Sequence, residues 1–199
     1  MTEILDTVDT AFRLDIALIH YPVVNKKQEL IGSAVTNLDL HDIARAGKTF
    51  GVGTYWVVTP YEQQQELAAD IAGHWTQGYG GTVNPDRAEA LSIIQIRASL
   101  GQVLAEMSEQ GGRVPLVVAT SAGQLCTRIS YKALRRTLQE GRSVLLLLGT
   151  AWGLAPEVTE QADAALPPIV GSGTYNHLSV RSAASICLDR LCGARDDTG

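Results

Sequence analysis

Short, nearly unbroken apolar runs at residues 16–20, 55–59, 116–120, 144–148 and 169–170 alternate along this chain with segments of helical periodicity. A strand exposed on one face alternates apolar and polar residues, whereas a strand covered on both faces is apolar throughout. The alternation therefore predicts an α/β fold, a mainly parallel sheet flanked by helices. The longest apolar run, Val144 to Leu148, is far shorter than the roughly 18 residues of a membrane span. With 199 residues, 45% hydrophobic and 19% charged, the chain can bury one core without disulfides or structural metal, so a single domain over residues 1–199 is expected.

The intervening segments carry helix punctuation. Asn37 is placed to cap a helix with Leu40, Ile43, Ala44 and Gly47 facing inward and Gly51 at its stop. Thr59-Pro60-Tyr61-Glu62 has the form of a capping box before Leu67, Ile71 and Trp75. Asn84-Pro85 opens what the spacing of Ile93, Ile96, Leu100, Val103 and Met107 predicts to be the longest helix, stopping at Gly111-Gly112. Further helices are expected at 131–140 and along the Val180, Ala184, Cys187, Leu191 stripe, a loop at 77–84, and a frayed end at 194–199.

The net charge of −5 excludes a globally basic nucleic-acid binder. The balance reverses locally: Arg128, Lys132, Arg135, Arg136 and Arg142 stand against Glu140 alone between residues 123 and 142, and Lys132, Arg135 and Arg136 are expected on an exposed helix face. Cys126, Cys187 and Cys192 are odd in number and lack CxxC spacing, which points to reduced thiols. His20, His41, His74 and His177 show no metal-ligand spacing, so no metal is expected. Glu3, Asp6 and Asp9 occupy the place where a secretory signal would be cationic, so a cytoplasmic location is expected.

Three loops rich in small residues follow strand ends, where ligands collect in open parallel sheets. They are 119–123, 148–154 and 170–179. No GxxxxGK[ST] occurs, and Gly51-Val52-Gly53 precedes a strand instead of joining strand to helix, so the known nucleotide-phosphate turns are excluded.

Leu148-Gly149-Thr150-Ala151-Trp152-Gly153-Leu154 and Tyr175-Asn176-His177-Leu178-Ser179-Val180-Arg181-Ser182-Ala183-Ala184 resemble the last two motifs of the SPOUT (α/β-knot) RNA methyltransferases. Thr36-Asn37-Leu38-Asp39-Leu40-His41-Asp42-Ile43-Ala44-Arg45, continuing to Phe50-Gly51-Val52, is similar to their first motif. Within that superfamily the chain is similar to a bacterial group that occurs alone or fused to the guanine-modifying tRNA methyltransferase. The resemblance implies a homodimer with a C-terminal trefoil knot over about 116–191, and S-adenosylmethionine as cofactor. It also implies that tRNA or rRNA is the substrate. The cofactor positions it implies are Thr120, Ser121, Ala122, Leu148, Gly149, Thr150, Gly153, Leu154, Ile169, Gly171, Tyr175, Asn176, His177 and Leu178. They coincide with the three loops located from strand ends.

For the acceptor side, Asn37, Asp42 and Arg45 are the catalytic candidates. Arg45 could bind a phosphate or polarise a nucleophile, and a carboxylate could accept its proton. The bland alternatives are a cap for Asn37, helix-dipole partners for Asp39 and Asp42, and a surface cation for Arg45. Arg181, early in a helix, needs an anionic partner. Two rivals stand beside the enzyme reading. Ser121, Asp163 and His177 follow the order of an α/β-hydrolase triad, although Ala119 stands where the nucleophile elbow has Gly. A knotted domain that binds RNA or protein without turnover is the other.

Overall fold

A computed structural model describes residues 13–120 and 127–194. Along the chain lie β1 (Leu14–Ile19), β2 (Val23–Val24), β3 (Leu30–Ile31), α1 (Asn37–Thr49), β4 (Tyr55–Val58), α2 (Glu62–Thr76), α3 (Tyr79–Val83) and α4 (Pro85–Leu91). They are followed by β5 (Ile94–Arg97), α5 (Leu100–Gly111), β6 (Leu116–Thr120), α6 (Tyr131–Gln139), β7 (Val144–Gly149), α7 (Pro156–Thr159), β8 (Ala164–Leu166) and α8 (Val180–Cys192).

Six strands form one sheet in the order β5-β4-β1-β7-β6-β8, all parallel, while β2 and β3 make a separate antiparallel pair. The unbroken runs become the two central strands. β1 is buried at every position and β7 at all but its last. On one face Ile16, Leu18, Leu146 and Leu148 pack with Ile43 of α1, Leu134 of α6 and Leu188 of α8. On the other, Ala17, Ile19, Leu145 and Leu147 meet Val103 and Met107 of α5 and Val158 of α7. Each such side chain removed from water contributes about 1.5–3 kcal/mol, so these layers hold the central strand ends rigidly.

Several expectations are corrected. The long helix from Asn84-Pro85 is three elements. Asn84 does cap a helix, accepting from the Arg87 amide, but α4 ends at Leu91 and Ile94–Arg97 is the edge strand β5. Ser99 then caps α5, which ends on Gly112 at φ 68. The cap of α1 is Thr36, whose oxygen accepts from the Asp39 amide, not Asn37. The Thr59 capping box does not form: α2 starts at Glu62 behind Tyr61, and Thr59 is buried. The 77–84 loop contains the short helix α3. Gly51 takes φ 75 just after α1, as its stop requires.

No strand forms at 169–170. The last strand is β8, three residues earlier, and it pairs on both edges. Val118, Ala119 and Thr120 of β6 face Ala164, Ala165 and Leu166. On the other side the Ile129 amide donates to the Ala165 carbonyl at 2.9 Å, and the Ala165 amide to the Thr127 carbonyl at 3.0 Å. Thus β8 lies between β6 and the 127–129 segment that follows β6 in the chain.

Candidate active site at the carboxyl ends of the central strands

β1 hands on to β4 on one side of the sheet, while on the other β7 neighbours β6 and β6 neighbours β8. The direction of strand progression therefore reverses between β1 and β7, and ligands of open α/β sheets bind beyond the carboxyl ends of the strands at such a reversal. The loops after β7 and β8 meet there.

The loop after β7 is fixed from below. The Thr150 hydroxyl donates to the Ile19 carbonyl at 2.9 Å. That uses its only proton, so Ser33, 2.5 Å away, donates to Thr150. The Ser33 proton is thereby used too, and His20 Nδ1 at 3.0 Å is the donor to Ser33. His20 is fully buried, and burial lowers its pKa to about 4 against the raising influence of Asp39. It is therefore neutral at pH 7, with the proton on Nδ1. The loop is also laced to the hairpin: the Trp152 amide donates to Val24, the Val24 amide to Gly153 and the Ala155 amide to Pro22. Ala151 sits at φ 51 and Gly153 at φ 120, a strained conformation that a non-glycine residue holds only when its surroundings enforce it. A Cβ on Gly149 would lie 2.6 Å from the Leu154 amide nitrogen.

The loop after β8 contrasts with this. Residues 170–179 are all exposed, Tyr175 at 79% and Leu178 at 47%. The rings of Tyr175 and His177 stand edge to face at 5.5 Å, and those of His177 and Trp152 at 5.8 Å, so side chains bridge the two loops. Lys26 reaches the Trp152 ring at 5.9 Å.

Thr120 closes β6, its hydroxyl donating to the Leu147 carbonyl at 2.8 Å; Ser121, Ala122 and Cys126 lie outside the described residues. The Leu148 and Leu154 side chains are buried in the core, one on each face of the sheet, and Thr150 spends its hydroxyl on Ile19. Both side chains are thus turned inward. What the β7 loop presents is the main chain between Gly149 and Gly153 that is not already bonded to Ile19, to the hairpin or within the loop. Ile169 is half-buried, while Gly171, Asn176 and His177 are exposed beside Tyr175 and Leu178.

On α1, Asn37, Asp42 and Arg45 share one exposed face. Arg181, at the start of α8, meets Asp39 at 3.1 Å and Asp42 at 3.3 Å. The anionic partner its position required is thus protein, and Asp42 is committed to that pair. A cleft between α1 and α8 is lined by Asp42, Arg45, Thr49, Arg181, Ser182 and Ser185. Arg45 forms no salt bridge among the described residues.

The basic face of α6 is smaller than expected. Arg135 turns inward to donate to the Arg190 carbonyl of α8, and Arg136 pairs with Glu140 at 2.9 Å. Lys132, Arg128 and Arg142 remain exposed. The hydrolase triad is not assembled. Asp163 is held at the start of β6, its carboxylate accepting from the Val117 amide at 2.8 Å, whereas His177 lies beyond the opposite end of the sheet against Trp152. Cys187 is core, as its place on the apolar stripe implied.

Ser33 and His20 escaped the sequence reading because their role depends on a contact 117 residues away. The cleft between α1 and α2 escaped it likewise.

A parallel six-stranded sheet with loops converging at its reversal point, followed by a helix tied back to α1, is the architecture of the SPOUT methyltransferases. Solved structures with this fold include the A. aeolicus TrmH/SpoU tRNA modifying enzyme (TM-score 0.56, 16% identity, 92% of this chain and 76% of that one). TrmJ from Z. mobilis ZM4 is another (TM-score 0.58, 16% identity, 92% and 69%). Residues 13–193 match the family described as SAM-dependent RNA methyltransferase, and the chain belongs to that family, whose cofactor is S-adenosylmethionine. Among its relatives is a tRNA (guanine-N(1)-)-methyltransferase of Oleidesulfovibrio alaskensis, 45% identical over 89% of this chain; the chain spans 41% of that protein's length. An uncharacterized protein of Aquifex aeolicus is 36% identical over 88% of this chain and 86% of its own length.

The site fits the cofactor. An adenosine needs close approach to main chain and apolar cover. The strained stretch around Ala151 and Gly153 exposes main chain, and Leu178 and Tyr175 offer uncommitted apolar surface opposite.

Proposed function

We propose that this chain methylates a nucleotide of tRNA or rRNA, binding S-adenosylmethionine between the β7 and β8 loops and its acceptor over α1. The observation that carries this is the preformed β7 loop at the β1/β7 reversal, faced by an open loop whose last residues lead into the helix tethered to α1. The cofactor supplies a methyl group already activated on a sulfonium, which leaves the protein to align, desolvate and neutralise. Main chain from Gly149 to Gly153 holds one side of the cofactor pocket, with Thr120 at its base. Ile169, Gly171, Tyr175, Asn176, His177 and Leu178 close the other. Ser121 and Ala122 belong to the same proposal from the sequence alone.

Arg45 holds a substrate phosphate or polarises the acceptor oxygen or nitrogen. Asn37 offers its side-chain amide to the nucleotide. Asp42, paired with Arg181, fixes the start of α8 relative to α1 and positions the acceptor side against the β8 loop.

The knot over about 116–191 and the homodimer are part of this proposal. The placement of β8 between β6 and residues 127–129 supports the first. The exposed Trp152 and Val170, apolar surface that a second copy would cover, support the second. The cytoplasmic location expected from the sequence stays with this reading. No helix among the described residues is long and apolar enough to cross a membrane.

The test is transfer of labelled methyl from S-adenosylmethionine to bulk tRNA and rRNA from a strain lacking the protein, with cofactor binding followed by calorimetry. Incorporation that Arg45→Ala reduces at unchanged cofactor affinity is the expected result. Cofactor binding with no incorporation into either pool would overturn the enzyme reading in favour of a non-catalytic domain.

A further inference from the structure

Beside the α1/α8 cleft, and sharing Asp42 and Arg45 with it, lies a second, larger cleft of about 660 Å³, between α1, α2 and α4. Its volume lies within the roughly 300–1,000 Å³ that accommodates a nucleotide-sized ligand. Trp75 of α2 forms its centre. The Arg87 guanidinium of α4 lies 4.5 Å from the Trp75 ring centroid, and the rings of His41 and His74 stand at right angles to the indole at 5.6 and 5.1 Å.

The charges are unevenly matched. Asp70 and Asp42 both line the cleft, yet among the described residues neither Arg87 nor Arg45 forms a salt bridge, and Asp42 is held by Arg181. Arg45, free of ion pairs among the described residues, and Arg87, stacked on Trp75, thus face one carboxylate outside any salt bridge, Asp70, in a concave site lined by aromatic rings. Burial, with the Arg87 and Arg45 charges, lowers the pKa of His41, so that ring offers hydrogen-bonding nitrogens and no third cation. Aromatic faces, planar cations and neutral hydrogen-bonding edges are the combination that holds an unpaired base with its phosphate.

We infer that the Trp75 cleft seats an unpaired nucleotide of single-stranded RNA, its base against the Trp75, His41 and His74 cluster and its phosphate toward Arg87 and Arg45. The assignment deepens the proposed function, on which it rests. The seat shares Arg45 with the acceptor cleft, so its occupant is a nucleotide flanking the one that is methylated. The ligand class is unpaired RNA, since a base inside a duplex presents no free face.

The probe is a random-sequence 12-nucleotide single-stranded RNA titrated against the intact chain while tryptophan emission is read, with a 12-base-pair RNA duplex as comparison. The expected result is saturable quenching by the single strand and not by the duplex. Read in a Trp152→Phe background, so that the exposed Trp152 of the β7 loop does not contribute, Trp75→Phe should abolish the quenching while single-strand binding, read by anisotropy, persists. Arg87→Gln should weaken that binding about tenfold, the scale of one lost charge-assisted contact to phosphate, with cofactor affinity unchanged. The seat is refuted by unsaturable quenching, by quenching that survives Trp75→Phe, by equal binding of duplex and single strand, or by unchanged affinity in Arg87→Gln. Methyl transfer is scored separately. Transfer without a Trp75 response removes the seat and keeps the enzyme; a Trp75 response without transfer does the reverse.

Discussion

The loops after β7 and β8 both carry two glycines and a threonine, yet they are built oppositely. The first is strained, tied to β1 through Thr150 and to the hairpin through Trp152, Gly153 and Ala155. The second is exposed throughout residues 170–179, and among the described residues its rings stack on one another and on Trp152. Small residues in one serve compactness and in the other leave open space. A pocket assembled from both has one fixed wall and one adjustable wall.

The same substitution should therefore give opposite results in the two loops. Gly149→Val places a side chain 2.6 Å from the Leu154 nitrogen and 2.9 Å from the Gly153 carbonyl carbon, both main chain. Urea unfolding should show a loss of about 3 kcal/mol or more. Gly171→Val, with nothing within 4 Å of its Cβ, should stay within about 0.5 kcal/mol. Equal losses would erase the distinction.

The fixed wall should also respond to acid. His20 is held at a pKa of about 4 in the folded chain, below its ordinary 6.5, so the unfolded chain binds more protons between those values. The His20 contribution is intact above pH 6.5 and declines as pH falls toward 4, by about 2 kcal/mol between pH 7 and pH 5. Denaturation of His20→Gln across that window should show a correspondingly shallower slope. Next in size, Ser33→Ala leaves the buried His20 Nδ1 proton without its acceptor and should cost about 1–3 kcal/mol by urea unfolding. If Ser33→Ala is neutral, the hydroxyl chain does not hold the loop.

The smallest stability effect belongs to the open wall. Tyr175→Ala removes a ring that is 79% exposed and should leave the unfolding midpoint nearly unchanged. Calorimetry should nonetheless show S-adenosylmethionine binding weakened by about tenfold, the scale of a lost apolar contact in a pocket. Unchanged affinity would take Tyr175 out of the pocket.

The sequence shows plainly what local pattern determines. β1 and β7 are readable because both faces are covered, and α8 because its stripe is regular. β5 was hidden since Ile93, Ile96, Leu100 and Met107 recur at steps a helix would also use, although Ser99, the real cap of α5, stood in view. β8 was hidden for a different reason. Ala164-Ala165-Leu166 has little strand preference, and it is a strand because partners 46 and 37 residues earlier, Val118 and Arg128, flank it. Of the proposed site, the glycines and Arg45 stand out in the sequence as motif residues. The Arg181 link to Asp39 and Asp42, the His20–Ser33–Thr150 chain and the Trp75 cleft are products of packing between distant segments.

The position of β8 also dictates an order of assembly. Its three residues have backbone partners on both edges, and both partners are made before it. Until β6 and residues 127–129 stand apart at the width of one strand, β8 has nothing to complete, and α8, with the tether to α1, follows it. Closure of such non-local pairings is entropically costly and slow. The wall that stays open in the finished protein is accordingly the stretch of chain between the last strand to be inserted and the helix that locks it in.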